Sequence, residues 1–93
     1  MRVRWLRTAL RLLDDGAAHI AADDPTMARV VAQRVLAAVA MLAEQPALGR
    51  PGRVPGTREL VALKTRCIVP YRMRGDVVEV LRVFHTSRQP PSS

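Results

Sequence analysis

Aromatic side chains and cysteine, which anchor many small protein cores, are scarce in this chain. Only 3% of its 93 residues are aromatic, and it contains one cysteine. The core must therefore be built from Val, Leu, Ala, Ile and Met, and the length allows one domain with one modest core. Cys67 cannot form an internal disulfide, and its apolar neighbours predict a buried thiol in a reducing compartment.

Motifs for metal or cofactor chemistry are also missing from the sequence. The two histidines, His19 and His85, lie far apart, and no cluster of Cys, His or carboxylates has the spacing of metal ligands. No glycine-rich phosphate loop leads from a strand into a helix. We therefore expect no metal and no cofactor.

Long apolar runs and a signal peptide are not evident either. No apolar run approaches the roughly 20 residues that a membrane span needs. Met1 leads directly into a segment with a strand pattern, which is unlike a signal peptide. We therefore expect a cytoplasmic protein with no membrane partner.

Positive charge, by contrast, is abundant and unevenly distributed. Residues 1–49 carry six arginines against five acids, a net +1, whereas residues 50–93 carry nine basic residues against three acids, a net +6. Such a concentrated field attracts nucleic acid or an acidic protein. Arginine-rich surfaces are also common in proteins from GC-rich genomes, so composition alone leaves both explanations open.

The first half of the sequence predicts one strand and two helices. Residues 2–6 alternate between apolar and basic and predict a strand, with Trp5 as a core anchor. Thr8 is a candidate N-cap for a helix that runs to about Ala22. Asp24 can cap a second helix, with Pro25 at its first position, that extends to about Gln45.

Each helix has an apolar stripe at helical spacing. In the first helix we expect the buried residues to be Leu10, Leu13, Ala17 and Ile20. In the second helix we expect them to be Met27, Val31, Val35, Ala38 and Leu42. The many alanines allow the two helices to pack closely as an antiparallel hairpin.

The second half predicts a sheet preceded by a loop. Residues 46–56 contain three prolines and three glycines, which exclude regular structure. Residues 60–63, 67–69 and 77–84 predict three strands, and their short connections predict an antiparallel meander. The order β-α-α-β-β-β gives an α+β fold, a small antiparallel sheet with a helical hairpin on one face. We expect a single domain over residues 1–89 and a flexible tail over residues 90–93.

The candidate functional residues are arginines around one histidine at the end of the last strand, His85. Guanidinium groups can bind phosphates bidentately, and a histidine can act as a general acid. The alternative is that these arginines are solvated or form cross-strand charge pairs. The candidates for a basic binding surface, for a target or another protein, are Arg50, Arg53, Arg58, Arg66, Arg74 and Arg82.

Six segments, in this order, resemble a known family of small proteins. They are Trp5 before the first helix, LAEQP at residues 42–46, LGR at 48–50, GTREL at 56–60, VPYRM at 69–73 and GDVVEVLRVFH at 75–85. The combination is similar to the RelE/ParE toxin superfamily of type II toxin–antitoxin systems, over nearly the whole chain. Any single segment would be a weak match.

This resemblance implies one of two activities, because RelE-like members cleave mRNA at the ribosome whereas ParE-like members act on DNA gyrase. His85 matches a general-acid histidine of one mRNA-cleaving branch, but Thr86 follows it where that branch has a tyrosine. Arg50 and Arg53 occupy the loop where that branch carries its carboxylate base. Residues 86–89 lack the tyrosine and the basic triplet of another such branch. The ParE branch is therefore favoured.

The resemblance implies a toxin that inhibits DNA gyrase and is neutralised by a cognate acidic antitoxin. The antitoxin would be partly disordered, would wrap the groove beside the helical hairpin and would form a hetero-oligomer with the toxin. The second hypothesis is a ribosome-dependent mRNA endoribonuclease, whose catalytic residues would be Arg58, Arg72, His85 and Arg88. The third is an inactive member that binds only the antitoxin.

Overall fold

Two helices packed on one face of a mixed sheet make up the fold in the computed structural model, which describes residues 1–85. The α+β class expected from the sequence is confirmed. Arg88 and the proposed tail over residues 90–93 lie outside the described residues. The elements are β1 Arg2–Trp5, α1 Arg7–Ala21, α2 Pro25–Ala40 followed by a 3-10 turn Met41–Ala43, β2 Arg50–Pro51, β3 Arg58–Val61, β4 Cys67–Arg74, β5 Val77–Val80 and β6 Phe84–His85.

The sheet contains the predicted meander and also the short strand β2, so the prediction that residues 46–56 hold no regular structure was wrong at Arg50–Pro51. Its order is β1-β5-β4-β3-β2, with β6 paired to β4. The β3, β4 and β5 strands are antiparallel neighbours, as expected. The β1 strand pairs in parallel with β5, so the sheet is mixed rather than wholly antiparallel. The helical hairpin between β1 and β2 supplies the long crossover that a parallel pair needs.

The start of α1 differs from the prediction. The helix begins at Arg7 with Leu6 as its N-cap, and no side chain caps it, so the predicted Thr8 cap was wrong. The reason lies in the strand before it. The Leu6 N–H bonds the Val80 carbonyl at 3.0 Å, while the Leu6 carbonyl accepts from the Leu10 N–H at 3.1 Å. Strand pairing and the helix therefore meet at one residue, which leaves no room for a separate cap.

The start of α2 follows the prediction, but its end does not. The Asp24 side chain accepts a hydrogen bond from the Met27 N–H at 3.0 Å, and Pro25 opens the helix. The α-helix ends at Ala40, and the 3-10 turn that follows stops before Gln45. The turn brings Leu42 into the core, where it is fully buried.

The predicted stripes are only partly confirmed: three of their nine residues are buried (Val31, Val35 and Leu42), four are half-buried (Leu13, Ala17, Ile20 and Ala38) and two are exposed. Leu10 and Met27 are exposed, although the sequence pattern included both in the buried set. Ala9 and Ala28 take the interior positions instead, which fits close helix packing. The core is built mainly from valines of α2 and the sheet; its members are Ala9, Val31, Val35, Val39, Leu42, Leu60, Ala62, Cys67, Val69, Tyr71, Val78, Val80 and Val83.

The second helix has the length and composition of a membrane-spanning segment. Pro25–Ala43 covers 19 residues with a mean hydropathy of 1.4. The expectation that no apolar run approaches this length was wrong here, because alanine and valine outweigh Arg29 and Arg34. One such helix is a weak indication of a membrane span, since core helices of globular domains have similar hydropathy. In this fold 28% of the apolar window is buried, and Val35 is one of the α2 residues that lie in the core.

A β-bulge interrupts the predicted strand over residues 77–84. Three residues, 81–83, lie opposite only two residues of β4, Val69 and Pro70. The extra residue shifts the alternation of side chains by one position. Val80 and Val83 are consequently both buried, and His85 shares the face of its partner Cys67.

Candidate partner-binding surfaces

The sheet has one face covered by the helices and one face that the helices leave uncovered. Val3 and Trp5 of β1 pack against the core, so the alternating Arg2 and Arg4 point to the opposite face. Paired residues on neighbouring strands share a face. We call the uncovered side the outer face.

Two cross-strand rows at one end of the outer face are basic. One row is Arg4–Glu79–Arg72 and the next is Arg2–Val77–Arg74, each running across β1, β5 and β4. We call these two rows the basic rows. Their four guanidinium groups face one carboxylate, which leaves an excess of three positive charges.

Glu79 lies at the centre of the basic rows and is largely covered by arginine side chains. Its side chain is 8% exposed, and its Oε1 accepts from Arg72 Nε at 2.8 Å. Arg74 Nη1 lies 4.0 Å from the same oxygen. The hydrogen bond from Arg72 lowers the pKa of Glu79, helped by the positive charges of Arg72, Arg74 and Arg4 and opposed by burial. Glu79 is therefore held as a carboxylate.

The opposite end of the outer face is apolar. Phe84 of β6 pairs with Ile68 of β4, and Ile68 pairs with Val61 of β3. Phe84 and Val61 are exposed. The outer face is thus divided along the strands into a basic half and an apolar row.

Arg58, a candidate for both catalysis and binding, lies on the helix-covered face opposite Tyr71. Its Nη1 donates to the Gly49 carbonyl at 2.7 Å and to the Ala47 carbonyl at 3.4 Å. The Tyr71 hydroxyl donates to the Pro46 carbonyl at 2.7 Å and accepts from the Gly49 N–H at 2.8 Å. Arg58 and Tyr71 therefore fasten the segment before β2 to the sheet.

The residues proposed for mRNA cleavage are not brought together. His85 pairs with Cys67, four positions along β4 from Tyr71, which is the partner of Arg58. That offset is about 13 Å along the strand. Arg72 lies on the outer face, so the sheet separates it from Arg58. Arg88 lies outside the described residues.

The remaining candidate arginines occupy edges and connections. Arg50 Nη2 lies 3.4 Å from Glu59 Oε1, a cross-strand pair of the kind that the sequence left open. Arg53, Arg66 and Arg82 are exposed in the segments between strands. These four arginines are spread around the sheet and do not form one cluster with Arg58.

Sequence reasoning missed Arg2, Arg4 and Glu79 as members of a cluster. Alternation along β1 places both arginines on one face, but only the parallel β1–β5 pairing brings Arg4 beside Glu79. Among residues 1–85, no group of three or more His, Cys, Asp or Glu residues could hold a metal ion.

A groove of about 590 Å³ lies between α2 and the edge of β3. Within the described residues, β2 pairs only with Arg58 and Glu59, which leaves the rest of that strand edge open beside the groove. Arg34 Nη1 donates to the Lys64 carbonyl at 3.0 Å, and both residues line the groove. The lining is largely apolar and consists of Arg34, Ala37, Ala38, Met41, Leu48, Gly49, Arg50, Glu59, Leu60, Val61, Leu63 and Lys64.

Comparison with known proteins identifies relatives of the whole chain. Residues 3–90 match the family described as ParE toxin of type II toxin-antitoxin system, parDE. A protein of Sinorhizobium fredii (strain NBRC 101917 / NGR234) named "Putative toxin Y4kP" is 50% identical over 90 residues, which cover 97% of this chain and 93% of that protein.

Two solved structures share the fold. The chromosomal ParDE toxin–antitoxin system from P. aeruginosa matches with a TM-score of 0.83 and 28% identity, over 91% of this chain and 95% of that one. The RelBE2 toxin–antitoxin complex from Mycobacterium tuberculosis matches with a TM-score of 0.60 and 28% identity, over 90% and 88%. The chain belongs to the ParE toxin family of type II toxin–antitoxin systems.

Proposed function

We propose that this toxin inhibits DNA gyrase in the cytoplasm, without catalysis of its own, and is neutralised by a cognate acidic antitoxin. Membership of the ParE family supports this function over mRNA cleavage. The structural observation that supports it most is the separation of Arg58 from Arg72 by the sheet.

A nuclease site requires groups that reach one scissile phosphate within hydrogen-bond distance. Arg58 already donates to two backbone carbonyls, and Arg72 is bonded to Glu79 on the other face. His85 is displaced along β4 from both the Arg58 row and the basic rows. This arrangement favours binding to a protein target over general acid–base chemistry on RNA.

The groove between α2 and β3 is the surface that we propose for the antitoxin. Its lining is largely apolar and carries Arg34, Arg50 and Lys64 against the single acid Glu59, a net positive charge that complements an acidic segment with apolar anchors. A helix can lay an apolar face into such a groove, and an extended segment can pair with an open strand edge. Both solved neighbours come from toxin–antitoxin systems, which supports a hetero-oligomer here.

The test incubates antitoxin-free protein with purified gyrase, supercoiled plasmid and ATP, and measures linear DNA trapped in cleavage complexes. We expect linear plasmid to accumulate when toxin is added. When the toxin is first mixed with the antitoxin, we expect no linear plasmid to form. A parallel reaction with programmed ribosomes measures mRNA cleavage. Cleaved mRNA with unaffected gyrase would replace this proposal with the nuclease function, and no effect in either reaction would indicate an inactive antitoxin-binding member.

A further inference from the structure

We propose that the basic rows bind the phosphodiester backbone of duplex DNA, so that the toxin itself contacts DNA. The proposal rests on the proposed function in one respect: it places the DNA contact within a complex of the toxin, gyrase and DNA. The contact is built from Arg2, Arg4, Arg72 and Arg74, with Glu79 as their positioning residue.

The size of the basic rows suits contact with a phosphate backbone. Arg2 and Arg4 are two residues apart on β1, about 7 Å along the strand, and β1 and β4 are separated by about 10 Å across β5. Duplex DNA carries one negative charge per about 1.7 Å of axis. A patch with an excess of three positive charges can therefore face several phosphates at once.

Glu79 orients this patch without neutralising it. Arg72 bonds Glu79 through Nε, so its two terminal Nη nitrogens lie outside that bond. The side chains of Arg72 and Arg74 remain 41% and 72% exposed. Guanidinium groups held in this way present several donors to phosphate oxygens.

The composition of the basic rows favours duplex backbone over single strands. The rows contain arginine, one valine and one glutamate, and no aromatic side chain on which a base could stack. Contacts to phosphates fix position and carry no sequence information. We therefore expect binding that is independent of base sequence and steeply dependent on salt.

The decisive measurement is the salt dependence of binding to a short fluorescein-labelled duplex, followed by anisotropy from about 50 mM to about 200 mM salt. Four phosphate contacts predict a slope of about −3.6 for log K against log salt. The double variant Arg2→Gln/Arg74→Gln should reduce the magnitude of this slope by about 2. Neither side chain makes the short hydrogen bond to Glu79, so we expect the fold to persist.

The matched control is Arg11→Gln/Arg29→Gln, which removes the same charge from exposed positions on the helical hairpin. We expect it to leave the slope within about 0.5 of the wild-type value, since its arginines lie away from the patch. Equal losses for the two double variants would overturn the proposal, as would a slope near zero. Tighter binding to single-stranded RNA, or to an acidic peptide that displaces the duplex, would also overturn it.

The same variants in the gyrase reaction separate this inference from the proposed function. Loss of DNA binding together with at least a tenfold loss of cleavage complexes supports both. Retained gyrase inhibition by Arg2→Gln/Arg74→Gln would overturn the role of DNA contact and leave the proposed function standing. Duplex binding through the basic rows by a protein that does not inhibit gyrase would uphold the contact and overturn the proposed function.

Discussion

Arg72 donates through Nε to Glu79 Oε1 at 2.8 Å, across the β4–β5 pair and on the face of the sheet opposite Arg58. This bond anchors the only buried charged residue among residues 1–85. Strand register places Arg72 and Arg58 on opposite faces of the sheet, where Arg72 belongs to the basic rows and Arg58 fastens the segment before β2.

The Arg72–Glu79 bond makes stability depend on pH in a defined direction. The folded pKa of Glu79 is lowered, so the unfolded chain binds the proton more readily. The stabilisation is present above the unfolded pKa of about 4.3 and is lost as the pH falls through the folded value. We expect urea unfolding to show falling stability over this acidic range.

Glu79→Gln is the variant that isolates this effect, because it cannot titrate. Its stability should fall less steeply with acid than that of the wild type. Glu59→Gln is the control, because its partner Arg50 is exposed and the ion pair is longer, at 3.4 Å. An unchanged acid slope in Glu79→Gln would contradict the assignment.

Gly49 lies against the side chain of Tyr71. A Cβ at this position would be 2.7 Å from Tyr71 Cε1 and 2.8 Å from the Glu59 carbonyl oxygen. Gly49→Ala should therefore lower the free energy of unfolding by about 1–3 kcal/mol, as overpacking does.

Gly16→Ala should change the free energy of unfolding in the opposite direction. A Cβ at Gly16, inside α1, meets no atom within 4 Å. The substitution should raise the free energy of unfolding by about 0.5–1 kcal/mol, because alanine is the better helix former. Urea denaturation of the two variants should give shifts of opposite sign. A Gly49→Ala protein at least as stable as the wild type would contradict the packing at Gly49.

A substitution of His85 tests whether the toxin acts as a gyrase inhibitor or as a nuclease in living cells. If the protein acts on gyrase, His85→Gln should arrest growth as the wild type does, with DNA damage signalling and with translation unaffected. Radiolabelled amino-acid incorporation after induction measures this. A folded His85→Gln protein that no longer arrests growth would assign the histidine a role in toxicity.

A substitution of Ala37 tests whether the groove is the surface that binds the antitoxin. It is exposed on α2 and lines the groove beside the β3 edge. Ala37→Glu should weaken antitoxin binding at least tenfold, or about 1.4 kcal/mol, because it places a carboxylate against the acidic antitoxin segment that we propose. Isothermal titration calorimetry with the purified antitoxin measures the change.

Gln33→Glu is the control for this experiment. It adds the same charge to an exposed α2 position that does not line the groove. Antitoxin affinity should stay within about twofold of the wild type. An equal loss in both variants would indicate a long-range charge effect and would move the antitoxin surface elsewhere.

Much of the local structure could be predicted from the sequence, because its causes are local. Asp24 before Pro25 marks the start of α2, and both were identified as the helix start. The strand meander, the buried Cys67 and the shared face of Val3 and Trp5 follow from alternation and turn residues. The net +6 of residues 50–93 directed attention to the second half, yet Arg2 and Arg4 of the basic rows lie in the half with a net charge of +1.

Only the tertiary structure decided which arginines act together. The parallel β1–β5 pair brings Arg4 beside Glu79 although the two are far apart in sequence, and local periodicity carries no information about such a pairing. The bulge at residues 81–83 moves His85 to the face of Cys67. A single-residue shift exchanges the two faces of a strand, so the face that each candidate side chain occupies is set by strand register and not by the sequence pattern alone.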